Sequence, residues 1–434
     1  MEELTLTIDK IVPGGMGLGF SEGKAVFVPF AAPGDQLRVS VEKKSKNHSQ
    51  ATILEILSAG ESRIDPGCPV YGQCGGCQLR HISSSDQSEI KRGFIQESLQ
   101  RIGKIDSVKV DETLAQPSSD SGYRRRAGFK VRVVKRGVLV GFFSAASHRV
   151  VDLPGCPVLD PRLEGLIQPL RTLIATLSGK GRIPEVDGVV GDEGVGLVVH
   201  TLRPLSTEDR DRLLAFGQEN QIDQIWLQQG KKSRLSCVSR EAPLTYQVAG
   251  LTLSFKPGDF IQVNGAGNRL LVEKVLAATD RTESSKGGVA WDLFCGVGNF
   301  TLPLTGYFDK VVGVESVPSA LDRLRGNGRR HQRENITPIR ADLFNQEGLA
   351  RLDTLPKADW VLLDPPRNGA MDLVKKLGDK PPAKVVYVSC DPATFARDAG
   401  LLHRAGLTLQ SASGVDLFPQ TRHVEVVGVF KLQG

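Results

Sequence analysis

No apolar run in this 434-residue chain approaches the length needed to cross a bilayer. Its start, Met1-Glu2-Glu3, lacks the basic-then-apolar pattern of a secretory signal. These absences argue against a membrane protein and predict a cytoplasmic one. Cysteine is scarce, with seven residues, and in a reducing compartment they are expected as metal ligands or catalytic groups, not disulfides. No repeat or low-complexity tract is present, and neither sign of charge dominates. The formal net charge is only +6, so any polyanionic partner has to be read from where the cations cluster. The length suits two or three domains, each with its own core.

Residues 1–62 read as a small all-β unit, a short OB-like barrel. Leu4-Thr5-Leu6-Thr7-Ile8 alternates, 14–19 is glycine-rich and expected as a loop, and Ala25-Val26-Phe27-Val28 resumes the strand pattern. Pro33-Gly34-Asp35 turns the chain into 36–41, and 51–57 closes the unit. The basic turn Lys43-Lys44-Ser45-Lys46-Asn47-His48 suits a solvated hairpin tip or a phosphate contact equally. Short barrels of this kind often bind single-stranded nucleic acid. The order Gly-Met-Gly-x-Gly, Phe-Val-Pro, Pro-Gly-Asp resembles a TRAM domain, an RNA-binding barrel appended to RNA-modifying enzymes.

Residues 63–255 read as a central α+β domain. Cys68, Cys74 and Cys77 stand at x5 and x2 spacing among glycines that allow a tight wrap, a strong metal signal. The fourth ligand is not local; Cys156 shares the Gly-Cys-Pro context of Cys68 and is the natural candidate. Four thiolates hold either zinc or an iron–sulfur cluster, and spacing leaves both open. The two Cys-x2-Cys pairs usual in structural zinc sites are absent, which favours iron–sulfur. An amphipathic helix is expected over 85–103, in this domain or against the catalytic one, and a polar linker near 117–122. Then Tyr123, Arg124, Arg125, Arg126, Phe129, Lys130 and Arg132 interleave cations with rings on a strand. An exposed charged edge strand would look the same, but nucleic-acid contact is preferred because backbone and base recognition want cations and stackable rings together.

From 256 to 434, strands and helices alternate regularly, which predicts a doubly wound α/β domain. A strand runs into Asp292-Leu293-Phe294-Cys295-Gly296-Val297-Gly298-Asn299, and the next strand ends in Glu315. Glycines let the backbone approach a ligand, and an acid after the second strand accepts ribose hydroxyls. Thr301 occupies the third-glycine position of a dinucleotide fingerprint, which disfavours NAD, and Asp-x-x-Cys-Gly-x-Gly resembles motif I of the S-adenosylmethionine (SAM) methyltransferases. Asp342 is expected near the adenine. Asp364-Pro365-Pro366-Arg367 ends a fourth strand, and Val385-Val386-Tyr387-Val388-Ser389 delivers Cys390 at the end of a fifth. Asp292, Glu315, Asp364 and Cys390 are thereby expected along the carboxyl edge of the sheet, where open α/β sheets bind ligands. Alternation predicts that His423 and Glu425 face the same way at the start of the terminal strand, and a carboxylate beside a thiol is a candidate proton acceptor.

Carried together, these motifs resemble the RNA uracil-C5 methyltransferases over essentially the whole chain. The branch is the one joining a TRAM barrel to a four-cysteine [4Fe–4S] site, of the 23S ribosomal RNA type. The resemblance implies a Rossmann-like C-terminal sheet using SAM, with Cys390 of Ser-Cys-x-Pro as nucleophile and Glu425 of His-x-Glu as base. It implies SAM contacts at Gln262, Phe294, Asn299, Glu315, Asp342 and Asp364. Phe260, Gln262 and Asn264 match Phe-x-Gln-x-Asn, with Phe260 a stacking partner for a base flipped out of its helix. Asp391 stands where Asn is common, and Asp342 where some members have Asn. The expected partner is 23S rRNA and the expected state a monomer. Alternatives are the tRNA T-loop, two rRNA sites, a radical-SAM enzyme (disfavoured by the x5 spacing and the fourth cysteine) and a non-catalytic RNA-binding factor (disfavoured by Cys390 and Glu425).

Overall fold

The computed structural model describes residues 2–115, 120–230, 233–239 and 241–433, so part of the linker expected near 117–122 lies outside the described residues. Five strands, β1 (Glu3–Val12), β2 (Met16–Ser21), β3 (Lys24–Pro29), β4 (Gln36–Lys44) and β5 (His48–Ser58), close a barrel in the order β1-β2-β3-β5-β4. Alternation turns Leu6, Ile8, Val26, Val28, Leu37 and Val39 inward. The glycine-rich stretch expected as a loop is a turn only at Gly14 and Gly15; from Met16 onward it is strand. Gly17 and Gly19 sit inside that strand because the opposite wall is too close for a side chain. A Cβ on Gly17 would lie 2.8 Å from the Ala31 Cβ, and one on Gly19 would overlap Leu6 and the Thr7 carbonyl. The basic stretch 43–48 is the exposed tip between β4 and β5. Arg63 locks the barrel to the chain that follows, its Nη2 standing 2.6 Å from the buried Asp35 carboxylate.

A seven-stranded sheet comes next, from β6 (Arg126–Val134), β7 (Gly137–Phe143), β8 (Val150–Asp152), β9 (Glu185–Val190), β10 (Val195–Thr201), β11 (Gln224–Gln229) and β12 (Ser236–Cys237), ordered β12-β11-β10-β9-β6-β7-β8. β9 is not apparent in the sequence, because Asp187 and Gly188 interrupt its apolar alternation, yet it pairs with both β10 and β6. The helices Ile167–Thr176 and Thr207–Glu219 cover this sheet with Leu170, Ile174, Leu213 and Phe216.

The hairpin β13 (Leu244–Val248) and β14 (Leu251–Phe255) shares a core with the C-terminal sheet. That sheet comprises β15 (Val289–Leu293), β16 (Lys310–Glu315), β17 (Ile336–Arg340), β18 (Trp360–Leu363), β19 (Lys384–Ser389), β20 (Leu407–Val415) and β21 (Glu425–Leu432), ordered β17-β16-β15-β18-β19-β21-β20. β21 runs antiparallel between β19 and β20; β15 to β19 are parallel. β18 and β19 are buried at every position, as central parallel strands covered on both faces should be. The C-terminal sheet is Rossmann-like, and a barrel and an α+β unit precede it.

Helix Ser84–Ser98 begins where Ser83 caps it, and its Ile95 shares the core of the C-terminal sheet with Tyr387, Phe395 and Leu409. The same helix buries Lys91, whose ammonium lies 2.7 Å from both Asp416 oxygens and 3.2 Å from the Phe418 carbonyl. Such a buried pair adds little net stability, but losing one partner strands the other charge at a cost of about 3–5 kcal/mol. It pins the loop that leads into β21. The Gln420 carbonyl in this loop accepts from the Gln78 and Leu79 amides at 3.0 Å each. Gln87 accepts from the Gln420 amide at 2.9 Å and donates back to its side chain at 3.0 Å. Tyr123 donates to the Pro419 carbonyl at 2.9 Å, and Arg422 to the Gly14 carbonyl at 3.3 Å. Barrel, cysteine segment, helix and basic strand thus all meet on one loop.

Candidate active site

The chain leaves β15 through a tight turn in which Phe294, Gly296 and Gly298 all have positive φ, at 72°, 53° and 99°. A Cβ on Gly298 would overlap Leu302 or crowd Leu324, so only glycine lets the turn close on the helix behind it. Asp292 is buried beneath this turn. One of its oxygens accepts from the Thr301 hydroxyl at 2.5 Å, and burial pushes its carboxyl up to about 7. Thr301 therefore works as an internal clasp. Glu315, at the end of β16, accepts from the amides of Gly296 at 3.2 Å, Ser316 at 2.7 Å and Val317 at 2.8 Å, which fixes its carboxylate beside the glycine turn.

Asn299 exchanges hydrogen bonds with Asn268 at 2.8 and 2.9 Å and receives one from Tyr246 at 3.2 Å. Asp342 follows β17, holds the Phe344 amide at 3.1 Å and Asn345 at 3.0 Å, and so sets the Phe344 ring 5.5 Å from that of Phe294. The motifs did not single out Phe344, whose ring meets that of Phe294 in the glycine turn. Gln262 is half-buried, Phe260 is 68 % exposed, and Asn264 caps helix Gly265–Ala277 by accepting from the Gly267 amide at 2.9 Å.

The thiol and the acid come from neighbouring strands. Ser389 of β19 pairs with Val426 of β21, so the next cross-strand positions are Cys390 and Glu425. Cys390 is half-buried; burial and the facing Glu425 raise its thiol to about 11, and Arg367 works the other way. Glu425 is buried and pushed up to about 8 by burial and by Asp364, again opposed by Arg367. Asp364 is itself pushed up to about 7 by burial and Asp292. The expectation that His423 shares the strand face of Glu425 needs correcting: β21 begins only at Glu425, and His423 stays in the preceding loop. There its ring meets Phe418 edge-on at 5.8 Å, and burial takes it down to about 4, a neutral imidazole.

A second cluster lies behind that loop. Cys68, Cys74, Cys77 and Cys156 line one cavity of about 130 Å3, walled also by Tyr71, Tyr123 and Thr421. All four are free thiols. Burial pushes Cys77 up to about 12 and Cys156 up to about 11, and neighbouring thiols add to both, Cys68, Cys74 and Cys156 to Cys77, and Cys68 and Cys74 to Cys156. Among the described residues no three His, Cys, Asp or Glu side chains are grouped to hold a single metal ion. The thiols surround a space without closing on a point.

A family model described as tRNA (uracil-5-)-methyltransferase matches residues 96–433. The 23S rRNA (uracil(1939)-C(5))-methyltransferase RlmD of Alkalilimnicola ehrlichii is 37 % identical over 441 residues, 99 % of this chain and 97 % of that one. Its namesake from Shewanella amazonensis is 38 % identical over 436 residues, 99 % and 96 % of the two chains. The chain belongs to the RNA uracil-C5 methyltransferase family. It is a SAM-dependent enzyme that methylates C5 of uracil in RNA. Its fold is shared with the crystal structure of Pyrococcus abyssi tRNA (uracil-54, C5)-methyltransferase in complex with S-adenosyl-L-homocysteine, at a TM-score of 0.72 and 24 % identity over 98 % of this chain and 100 % of that one.

The cations and rings read from the sequence of this methyltransferase separate in space. Tyr123 is buried as a wall of the cysteine cavity, and Phe129 is buried against Phe142, with ring centroids 5.9 Å apart. Arg125 pairs with Asp192, Lys130 pairs with Glu185 and lies 5.4 Å from the Phe143 ring centroid, and Arg126 donates to the Asp259 carbonyl at 3.1 Å. Arg124 borders the cysteine cavity, and Arg132 is exposed. No helix among the described residues is long and apolar enough to cross a membrane.

Proposed function

We propose that this methyltransferase converts uridine of 23S rRNA to 5-methyluridine, with Cys390 as nucleophile and Glu425 as base. The observation that carries the reading is the cross-strand placement of a thiol opposite a buried carboxylate at the carboxyl edge of the sheet. The substrate follows the relatives, which are named for uracil 1939 of 23S rRNA and match this chain nearly end to end.

Uracil C5 is a weak carbon nucleophile. Addition of the Cys390 thiolate at C6 pushes the ring electrons into an enolate over C4 and C5, and C5 then has the electron density to take a methyl group. SAM supplies that methyl as an electrophile. Gln262, Phe294, Asn299, Glu315, Asp342 and Asp364 hold it along the strand ends, Phe260 stacks on the flipped base, and Asn264 keeps the Phe-x-Gln segment in place by capping its helix. Glu425 removes the remaining C5 proton, and the electrons released expel Cys390 from C6. Both working groups act deprotonated. With the acid near 8 and the thiol near 11, turnover rises with pH from 6 to 9. Arg367 favours both charged forms, so Arg367→Gln is expected to displace this rising limb to higher pH in a profile of kcat/KM; an unmoved limb would remove Arg367 from the account.

Four thiols around one cavity, not closed on a single point, fit a [4Fe–4S] cluster better than a single zinc ion. Methyl transfer needs no net electron transfer, so the cluster's part is structural. The barrel is read as a TRAM domain that, with Arg124, Arg125, Arg126, Lys130 and Arg132, meets the RNA backbone; the protein acts as a cytoplasmic monomer. One experiment tests the reading: purify the protein anaerobically, determine iron and acid-labile sulfide, then incubate it with labelled SAM and unmodified 23S rRNA or tRNA. Label in 23S rRNA as 5-methyluridine, with about four irons per chain, is the expected result. Label confined to tRNA would overturn the substrate, and bound zinc without sulfide would overturn the cluster.

A further inference from the structure

The site leaves unused a dense group of cations at the outer edge of the C-terminal sheet. Helix Pro318–Arg330 and the turn after it carry Arg323, Arg325, Arg329, Arg330 and Arg333. The helix buries Leu321 and Leu324 against the sheet, and Arg325, Arg329 and Arg330 point to solvent. One or two cations in the last turn would answer the helix dipole; this segment holds more, and they border a hollow. Arg325, Arg329 and Arg333, with Gln332 and with Ile336 and Pro338 of the edge strand β17, line a groove of about 410 Å3. Glu334 and the Asp322 that meets Arg325 at 3.0 Å are the acids beside it. Arg333 is half-buried, and its Nε is buried with no acceptor among the described residues. A buried guanidinium N–H without an acceptor is costly unless a ligand supplies one. The match for several arginines and an unanswered donor is a chain of phosphates.

We propose that this groove binds the phosphodiester backbone of the RNA substrate at a distance from the methylated base. The proposal rests on the reading of the protein as an RNA methyltransferase and adds where its substrate is held. Glu315 stands just before the start of the helix, and the groove lies toward the helix end. Thirteen residues separate the two ends, which at about 1.5 Å per residue is roughly 20 Å. Paired nucleic acid advances about 3 Å per base pair, so Arg329 and Arg333, at the far end of the groove from Pro338, are reached only by RNA extending about six or seven pairs beyond the methyl-donor edge. A minimal stem-loop fills the active site and leaves the groove empty.

The test is R325Q/R329Q, both at exposed positions, followed by addition of R333Q. Binding of a long 23S rRNA fragment and of a minimal stem-loop is followed by fluorescence anisotropy across a salt series, with kcat and KM measured on both. For the long fragment the affinity is expected to fall about tenfold or more, and the slope of log K against log salt to shrink by about two units. Kinetics on the stem-loop are expected to stay at the wild-type values, which also reports an intact fold. Unchanged affinity and slope on the long fragment would overturn the proposal and point to a protein partner for the groove. Equal loss on both RNAs would also overturn it, because the groove would then not be remote from the site. Failure of the wild-type protein to methylate either RNA is a different result, and it would count against the substrate reading.

Discussion

Cys390→Ala is expected to lower RNA methylation by about 10⁴-fold or more while SAM still binds with its wild-type affinity. The size follows from what the thiol does: without addition at C6, C5 has no enolate behind it, and loss of an enzyme's nucleophile commonly removes several orders of magnitude in rate. The proposed SAM contacts at Glu315, Asp342 and the turn after β15 lie on other strand ends, so calorimetric titration of the variant with SAM should match the wild type. Methylation surviving in the variant would remove Cys390 from the chemistry. The environment of the thiol accounts for the need for a bound substrate. Burial and Glu425 hold it near 11, so at neutral pH it is mostly protonated, and little thiolate is exposed to adventitious electrophiles.

The second large effect is Glu425→Gln, which is expected to cut turnover by about 10²- to 10⁴-fold and to trap a covalent protein–RNA adduct. Gln keeps the shape and the cross-strand position but cannot accept the C5 proton. Addition and methyl transfer precede that step and remain open. They are in fact helped, since Glu425 is one of the groups that raise the Cys390 thiol, and its neutralisation lowers the thiol toward its ordinary value. A band of protein and RNA that survives denaturing electrophoresis, carries methyl label and disappears in the double variant with Cys390→Ala is the expected signature. Free methylated RNA released at the wild-type rate would show that the proton leaves by another route.

The strand ends were the most legible part of the chain. Continuous β-branched runs such as Val385 to Val388 mark central parallel strands, and such strands have only one place to deliver the residue that follows them. The four cysteines were legible for a similar reason, because their spacing and shared Gly-Cys-Pro context carry the pattern. The alternation of cations and rings at 123–132 misled. On a strand, neighbours point to opposite faces, so interleaving puts Arg126, Lys130 and Arg132 on one face and turns Phe129 into the core. The same spacing would mean co-presentation in a flexible segment and means separation in a sheet. The roles of Lys91, Asp416 and Gln420 left no local signal at all. A lysine in an amphipathic helix looks solvated until its partner, more than three hundred residues away, is known. The arginines of helix Pro318–Arg330 sit in a motif-free stretch, and only the groove beside them gives them a direction.

The loop before Glu425 has a consequence for how the protein is made. Its anchors at Gln78, Gln87, Lys91 and Tyr123 emerge early in synthesis, and Gln87 waits for a residue 333 positions later. β21 then has to insert between β19 and β20 as the last strand of the sheet. Contacts of such long range form late. A growing chain therefore carries the thiol of Cys390 without its acid opposite, and the pair is assembled only once β21 has been made and has slotted in beside β19.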